Sequence, residues 1–196
     1  MKDILLINVS GQDKPGVTSS VSDVLSHYDV TFLDIGQAVI HDQLNLGILA
    51  AVPRSEQTKA VTDAVLARLK DLDMEGLFIP ISQQEYQNWV EQQGKPRHIV
   101  TLLARKIDAA HLAAVTKVTS EQGLNIDKIV RLSGRIELDQ TDQLGRACIE
   151  FSARGEPHNA SKFRHSLLEL AGEYNIDIAY QQDNIFRRNR QLVVFD

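Results

Sequence analysis

The order of strand-like and helix-like segments constrains this chain most, because the same order occurs twice. An apolar run at residues 4–9 indicates a strand, and apolar residues at helical spacing follow between 17 and 25. Strand patterns at 30–40 and 44–52 are separated by three residues, which predicts an antiparallel hairpin. A second helix and a fourth strand complete the unit by residue 81, so the predicted order is βαββαβ.

The order recurs in residues 98–181, with little residue identity between the two copies. A period this long indicates domain duplication, because solenoid repeats are much shorter. Each βαββαβ unit predicts a four-stranded antiparallel sheet with both helices on one face, which is the ferredoxin-like arrangement. The predicted fold class is therefore α+β, with two such domains in succession.

Composition divides the chain into four segments. Residues 1–82 form the first predicted domain, and residues 83–97 form a polar, Gln-rich linker with one helical turn around Tyr86. Residues 98–181 form the second domain, and residues 182–196 form a basic connector followed by the first strand of a further domain. The sheet face that lies away from the helices must stay in water or find a partner, and the sheet edges are open. We therefore expect association through the sheets, with a homodimer as its product.

Charge and composition argue against several classes of function. The net charge of −5 argues against general nucleic-acid binding, which needs concentrated Lys and Arg. No apolar run approaches the roughly 18 residues of a membrane span, and the start lacks a signal-peptide cleavage region. The lone Cys148 permits no intrachain disulfide, which suits the cytoplasm. The six histidines lack metal-ligand spacing, so no cofactor is expected in this region.

The loop between the first strand and the first helix has the sequence Asp-Lys-Pro-Gly-Val at residues 13–17. Asp13 is predicted to cap the helix, with Pro15 in its first turn. Within a βαββαβ unit, this loop resembles the ACT-domain signature. The resemblance implies a regulatory domain that binds an amino acid at a domain interface.

The chemistry of this loop suits such a ligand. A helix start offers unpaired backbone N–H groups and a positive dipole end to a carboxylate. Asp13 could meet the ligand's ammonium group, and Gly16 allows close backbone approach because it has no Cβ. The candidate ligand-binding residues are therefore Asp13, Lys14, Gly16 and Val17. Taken without the resemblance, the same residues are also consistent with a capped helix and a tight turn that bind nothing.

The corresponding loop of the second unit, residues 104–110, has neither Pro nor Gly, and Ala110 stands where Gly16 does. An equivalent second pocket is therefore in doubt. This unit could instead wall the first site or act as scaffold.

The segment 184–196 resembles the junction in bacterial phosphoserine phosphatases that carry a tandem ACT region. In those enzymes a basic connector leads to an apolar strand that ends in Asp-x-Asp and opens a haloacid-dehalogenase-type domain. The resemblance implies that Asp196 is the phosphoryl-accepting nucleophile and a Mg²⁺ ligand of the full-length enzyme. Because the rest of that domain is not in this sequence, we expect no catalysis from these residues alone.

The sequence thus predicts a serine-binding and oligomerisation region of a phosphoserine phosphatase that hydrolyses O-phosphoserine in serine biosynthesis. Two alternatives stay open. One is a stand-alone tandem-ACT regulator or assembly module that controls a partner protein. The other is a structural role in which both units serve only dimerisation.

Overall fold

A computed structural model describes residues 2–134 and 147–183 of the chain. The chain forms two compact units, Met1–Trp89 and Val90–Asp196. Each unit contains a four-stranded antiparallel sheet in βαββαβ order, so the predicted fold class is confirmed. The predicted connector and terminal strand at 184–196 lie outside the described residues.

The first unit follows the predicted order of elements. They are β1 (Asp3–Gln12), α1 (Val17–Ser26), β2 (Thr31–Ile40), β3 (Gln43–Val52), α2 (Thr58–Asp71) and β4 (Glu75–Ile81). A short 3₁₀ turn, Ser55–Gln57, precedes α2. The strands lie in the order β2-β3-β1-β4, which places β1 in the interior and β2 and β4 at the edges.

Alternation along the strands places one face of this sheet against both helices. Each helix contributes three buried residues at helical spacing, and β1 and β3 contribute alternate residues. The core side chains are those of Leu5, Ile7, Val9, Val17, Val21, Leu25, Leu44, Leu46, Ile48, Val61, Val65 and Leu69. This packing fixes the register of β1, whose end leads directly into the loop at 13–16.

The second unit repeats this arrangement. Its elements are β5 (Arg97–Ala104), α4 (Ala109–Glu121), β6 (Asn125–Arg131), β7 (Ala147–Arg154), α5 (Ala160–Tyr174) and β8 (Asp177–Asp183). The strand order β6-β7-β5-β8 matches that of the first unit. The duplication predicted from the order of elements is therefore also a duplication of topology.

The core of the second unit contains a buried histidine, His98, with no exposed surface. Its Nδ1 lies 2.8 Å from the Tyr180 hydroxyl and its Nε2 lies 3.0 Å from the Gly155 carbonyl. A neutral ring satisfies both contacts if Nε2–H donates to Gly155 and Nδ1 accepts from Tyr180. Phe163 packs edge-on against Tyr180, with 5.3 Å between the ring centroids. Burial raises the pKa of the Tyr180 hydroxyl, and the nearby cation of Arg164 opposes that shift.

The two edge strands β2 and β6 share a bulge at the same position. One extra residue interrupts the pairing in each strand, Leu33 in β2 and Asp127 in β6. In the second unit Asp127 accepts hydrogen bonds from Ser152 and from Arg154 Nε, the latter at 2.6 Å. Two residues after each bulge stands an isoleucine that is 47% exposed, Ile35 in one strand and Ile129 in the other.

The sheet faces opposite the helices differ between the units. In the first unit this face carries apolar side chains in paired positions, among them Ile4, Leu6, Leu49, Leu77 and Ile79. In the second unit the same face carries mainly polar and charged side chains, among them Arg97, Thr101, Glu150, Arg154 and Gln181. The two units therefore share a topology and differ at this sheet face.

The segment expected as a linker with one helical turn forms a longer helix, α3 (Gln83–Gln93). Its N-terminus is stabilised because Ser82 and Glu85 exchange side-chain and backbone hydrogen bonds. The Tyr86 and Trp89 rings stack one helical turn apart. In the part of the chain that the structure describes, no helix is long and apolar enough to cross a membrane.

Candidate functional site

The first helix of the first unit begins without a side-chain cap. Gly16 occupies the N-cap position in the left-handed region, with φ 94°, and α1 begins at Val17. The prediction that Asp13 caps the helix is wrong, and Pro15 lies before the first helical residue. The physical reason is that glycine turns the chain at Gly16, a conformation that other residues adopt only at a cost.

Asp13 and Lys14 connect this loop to two other parts of the unit. The Asp13 backbone N–H donates to the Asp42 carbonyl at 2.7 Å, in the turn between β2 and β3. Lys14 Nζ donates to the Leu72 carbonyl at 3.1 Å, at the C-terminal end of α2 where the helix dipole favours a cation. The loop is thus held on both sides, and the Lys14 ammonium is already engaged.

The start of α1 nevertheless keeps unused hydrogen-bonding capacity. The backbone N–H groups of Val17, Thr18 and Ser19 have no acceptor among the described residues. The Val17 side chain is 1% exposed and belongs to the core, so only its backbone can reach a ligand. The Asp13 carboxylate is exposed and has no hydrogen bond within the described part of the chain. The predicted residues therefore lie together at the start of α1. Two of them also stabilise the fold, since Val17 packs in the core and Lys14 binds the Leu72 carbonyl.

Sequence reasoning missed two neighbours of this helix start, Thr18 and Gln37. Thr18 Oγ1 donates to Gln37 Oε1 at 2.6 Å, which joins α1 to the edge strand β2. One signal was available, because Gln37 is polar and stands between Ile35 and Val39 in an otherwise apolar alternation. A ligand at the helix start would lie beside this pair.

A hollow of about 890 Å³ lies near the loop, and Ser10, Gly11, Lys70 and Met74 are among its lining residues. Asp13, Gly16 and Val17 do not line it. This hollow is therefore separate from the candidate ligand site at the start of α1.

The corresponding helix start in the second unit is occupied by its own carboxylate. Asp108 is the N-cap of α4, as predicted, and accepts hydrogen bonds from the backbone N–H groups of Ala110 and His111 at 3.0 and 3.3 Å. The His111 N–H is the main cause of a lowered pKa at Asp108. The two units therefore differ at the atoms that would bind a carboxylate.

Metal binding has no support within the described residues. There, no group of three or more His, Cys, Asp or Glu side chains could hold an ion. Cys148 is half-buried in β7. The predicted nucleophile and Mg²⁺ ligand, Asp196, lies outside the described residues.

Comparison with known proteins assigns a family to each unit. Two family models described as ACT domain match the chain, one over residues 3–78 and the other over residues 96–181. Together they cover both βαββαβ units.

Curated relatives match along almost the whole chain. The phosphoserine phosphatase SerB2 of Mycobacterium tuberculosis is 29% identical over 193 residues, which are 98% of this chain and 44% of that protein. A phosphoserine phosphatase of Streptomyces coelicolor is 27% identical over 192 residues, which are 98% of this chain and 43% of that protein. The chain thus spans less than half the length of these curated relatives.

Solved structures support the fold. A protein of unknown function from Galdieria sulphuraria superposes with a TM-score of 0.71 at 15% identity, covering 93% of this chain and 99% of that one. A putative glycine cleavage system transcriptional repressor superposes with a TM-score of 0.68 at 12% identity, covering 93% and 98%. At these identities the likeness concerns the fold alone.

Proposed function

Because this chain belongs to the ACT-domain family and contains two such domains in tandem, we propose that it is the amino-acid-sensing region of a phosphoserine phosphatase. In this proposal the first unit binds L-serine at the start of α1. The second unit does not bind serine in the equivalent place.

One observation carries the proposal, namely the difference between the two helix starts. In the first unit three backbone N–H groups have no acceptor among the described residues, and Gly16 leaves room for a ligand. In the second unit Asp108 accepts from two such groups. A free amino acid could offer its carboxylate to α1 in the same way that Asp108 serves α4, with its ammonium facing Asp13.

We propose serine as the ligand because the matched relatives carry the name phosphoserine phosphatase. Removal of the phosphate from phosphoserine yields serine, so a serine-binding region would report the product. Binding regulates only if serine prefers one arrangement of the protein over another.

Calorimetric titration of the chain with L-serine tests this proposal. We expect measurable heat and an increased melting temperature at millimolar L-serine, since a ligand that binds only the native state stabilises it. D-serine is the matched control, because it has the same groups in the opposite hand. Absence of both heat and thermal shift with L-serine would contradict the proposal.

We also propose that this region belongs to a longer enzyme that hydrolyses O-phosphoserine with Mg²⁺ and uses Asp196 as its nucleophile. The support is the family match together with the partial coverage of the phosphatase relatives. Phosphate release by the product of the natural gene tests it. Asp196→Asn is expected to abolish turnover, and wild-type turnover by that variant would contradict the assignment.

We propose that two copies associate through the edge strand β2. In the described residues β2 pairs only with β3, and it carries Ile35 at 47% exposure. Ile35→Lys places a charge on this edge and is expected to shift the dimer toward monomer in sedimentation velocity. The matched control is Leu66→Lys, on the exposed side of α2. Equal dimer fractions for both variants would contradict pairing through β2.

A second candidate function is that of a stand-alone tandem-ACT regulator. The lengths of the two similar solved structures favour it. This chain covers 99% and 98% of those proteins, so the same pair of units forms nearly the whole of other chains. The sequence of the gene beyond residue 196 separates the two candidates.

A further inference from the structure

The sheet face of the first unit that lies opposite the helices, here called the free face, is apolar and partly exposed. Strand pairing arranges its side chains in rows that run across β2, β3, β1 and β4. Leu77 is 58% exposed and Ile79 is 37% exposed, so the β4 side of the face contacts water. Three successive rows are Thr31, Ala51, Ile4 and Ile81, then Asp34, Leu49, Leu6 and Ile79, then Gly36, Gly47, Asn8 and Leu77.

The β2 side of the third row has no side chains, because Gly36 and Gly47 are direct partners in neighbouring strands. A Cβ at Gly36 would meet no atom within 4 Å, and a Cβ at Gly47 would lie 3.5 Å from Asn8 Oδ1, which is ordinary contact. Neither glycine has a positive φ. Glycine weakens a strand, and inside a strand it often marks a place that another molecule approaches closely. The pair therefore leaves a recess that no described residue requires.

We propose that the free face binds the free face of a second copy of the chain, about a two-fold axis parallel to the strands. The axis lies between the two central strands, β1 and β3. Each of these strands then faces the other strand in the second copy, and β4 faces β2. Aligned packing of two sheets about 10 Å apart is common, and a two-fold contact uses the same patch on both copies.

This arrangement places large side chains opposite small ones. Leu77, the most exposed apolar side chain of the three rows, lies opposite the Gly36 recess of the second copy. The other opposed pairs in the interior of the contact are Asn8 with Gly47, Leu6 with Leu49, Ile4 with Ala51, and Ile81 with Thr31.

The charges of the free face also permit this contact. Asp34 is the one charged residue in the three rows. It is exposed on the edge strand β2 and lies opposite Ile79 of the second copy, where its carboxylate stays in water. No two like charges are brought together.

The second unit does not favour the same contact. Its first row places Arg97 in β5 beside Arg154 in β7. The same axis would bring Arg97 of each copy to Arg154 of the other, and like charges opposed at an interface weaken binding. The next two rows contain the charged residues Lys128 and Glu150. Association through the free face is therefore a property of the first unit.

The size of the free face suits a weak, specific contact. Four strands give a face roughly 19 Å wide and about 25 Å long, so two copies would bury about 1,000 Å², near the lower limit for specific interfaces. The contact uses the face of the sheet, whereas the proposed pairing through β2 uses an edge. The two contacts are therefore independent.

Sedimentation velocity tests the proposal, in the wild-type chain and in Ile35→Lys, which removes the proposed pairing through β2. In both, Leu77→Lys is expected to weaken self-association at least about tenfold, because its ammonium would be held against an apolar face. The matched control is Leu168→Lys, on α5, where 67% of the side chain is exposed. This control is expected to associate as its parent does, and thermal unfolding establishes that each variant folds.

A compensating variant tests which residues face each other. Gly36→Glu is expected to weaken association by filling the recess, and to leave the fold intact because a Cβ there meets no atom. In Leu77→Lys/Gly36→Glu the ammonium of one copy would face the carboxylate of the other, so association is expected to recover. Within one chain these positions lie on opposite edge strands, about 14 Å apart, so recovery requires contact between copies.

Three results would overturn the proposal. The first is no self-association of Ile35→Lys at high micromolar concentration, which leaves the serine proposal untouched. The second is equal weakening by Leu77→Lys and its control Leu168→Lys. The third is failure of the double variant to recover association.

Discussion

Replacing Gly16 by valine is expected to weaken L-serine binding at least about tenfold. Gly16 has φ 94°, where a side chain strains the backbone by about 1–2 kcal/mol and a β-branched side chain does so more. The chain would relieve this strain by turning Gly16 and the N–H groups of Val17 and Thr18 away from their present direction. Since 1.4 kcal/mol corresponds to a factor of ten, we expect affinity to fall at least about tenfold.

Gly172→Ala is the matched control for this variant. Gly172 lies in α5, and a Cβ there meets no atom within 4 Å. This substitution is expected to leave serine binding unchanged and to stabilise the helix slightly, because alanine has a higher helix propensity. Wild-type serine affinity in Gly16→Val would show that the start of α1 is not the binding site.

Replacing Phe163 by alanine is expected to unfold much of the second unit and to spare the first. Phe163 is fully buried and packs against both Tyr180 and His98. Removing a buried phenylalanine side chain typically costs about 3–5 kcal/mol, which is a large part of the stability of a small domain. Hydrogen exchange read by mass spectrometry is expected to show lost protection in 97–131 and 147–183 and retained protection in 3–81.

The matched control is Leu168→Ala, on the same helix. Because 67% of Leu168 is exposed, this variant is expected to alter hydrogen exchange only slightly. The Phe163→Ala variant also tests whether serine binds to the first unit alone. If serine binds only at α1, this variant keeps wild-type serine affinity although its second unit is destabilised. Loss of serine binding would show that the second unit forms part of the serine site.

The fold followed from sequence because its signals were local and repeated. The alternating apolar residues of β3 and the helical spacing of Val21 and Leu25 predicted side chains that the structure buries in one core. The second unit was found although few residues match, because its order of elements and its capping residue, Asp108, were both visible.

Two details required the three-dimensional structure. The helix start at Val17 depends on the left-handed Gly16, and the sequence was equally consistent with a cap from Asp13. The helix α3 has no buried residue, so its polar sequence lacked the apolar periodicity by which helices are recognised.

The candidate site was only partly visible in the sequence. Asp13 and Gly16 were predicted because residues that favour turns can be recognised from the local sequence. The Thr18–Gln37 contact joins a helix to a strand, so no local pattern indicates it. The Lys14–Leu72 bridge is longer-range still, and no spacing rule connects those positions.

We propose that the two units are unequal, with serine bound at α1 and no equivalent site at α4. A titration of the isotopically labelled chain with L-serine, followed by amide NMR, tests it most directly. We expect saturable shifts at the amides of Val17, Thr18 and Ser19, with those of Ala110 and His111 unchanged. Shifts at α4 with none at α1, or equal shifts at both helix starts, would contradict the claim.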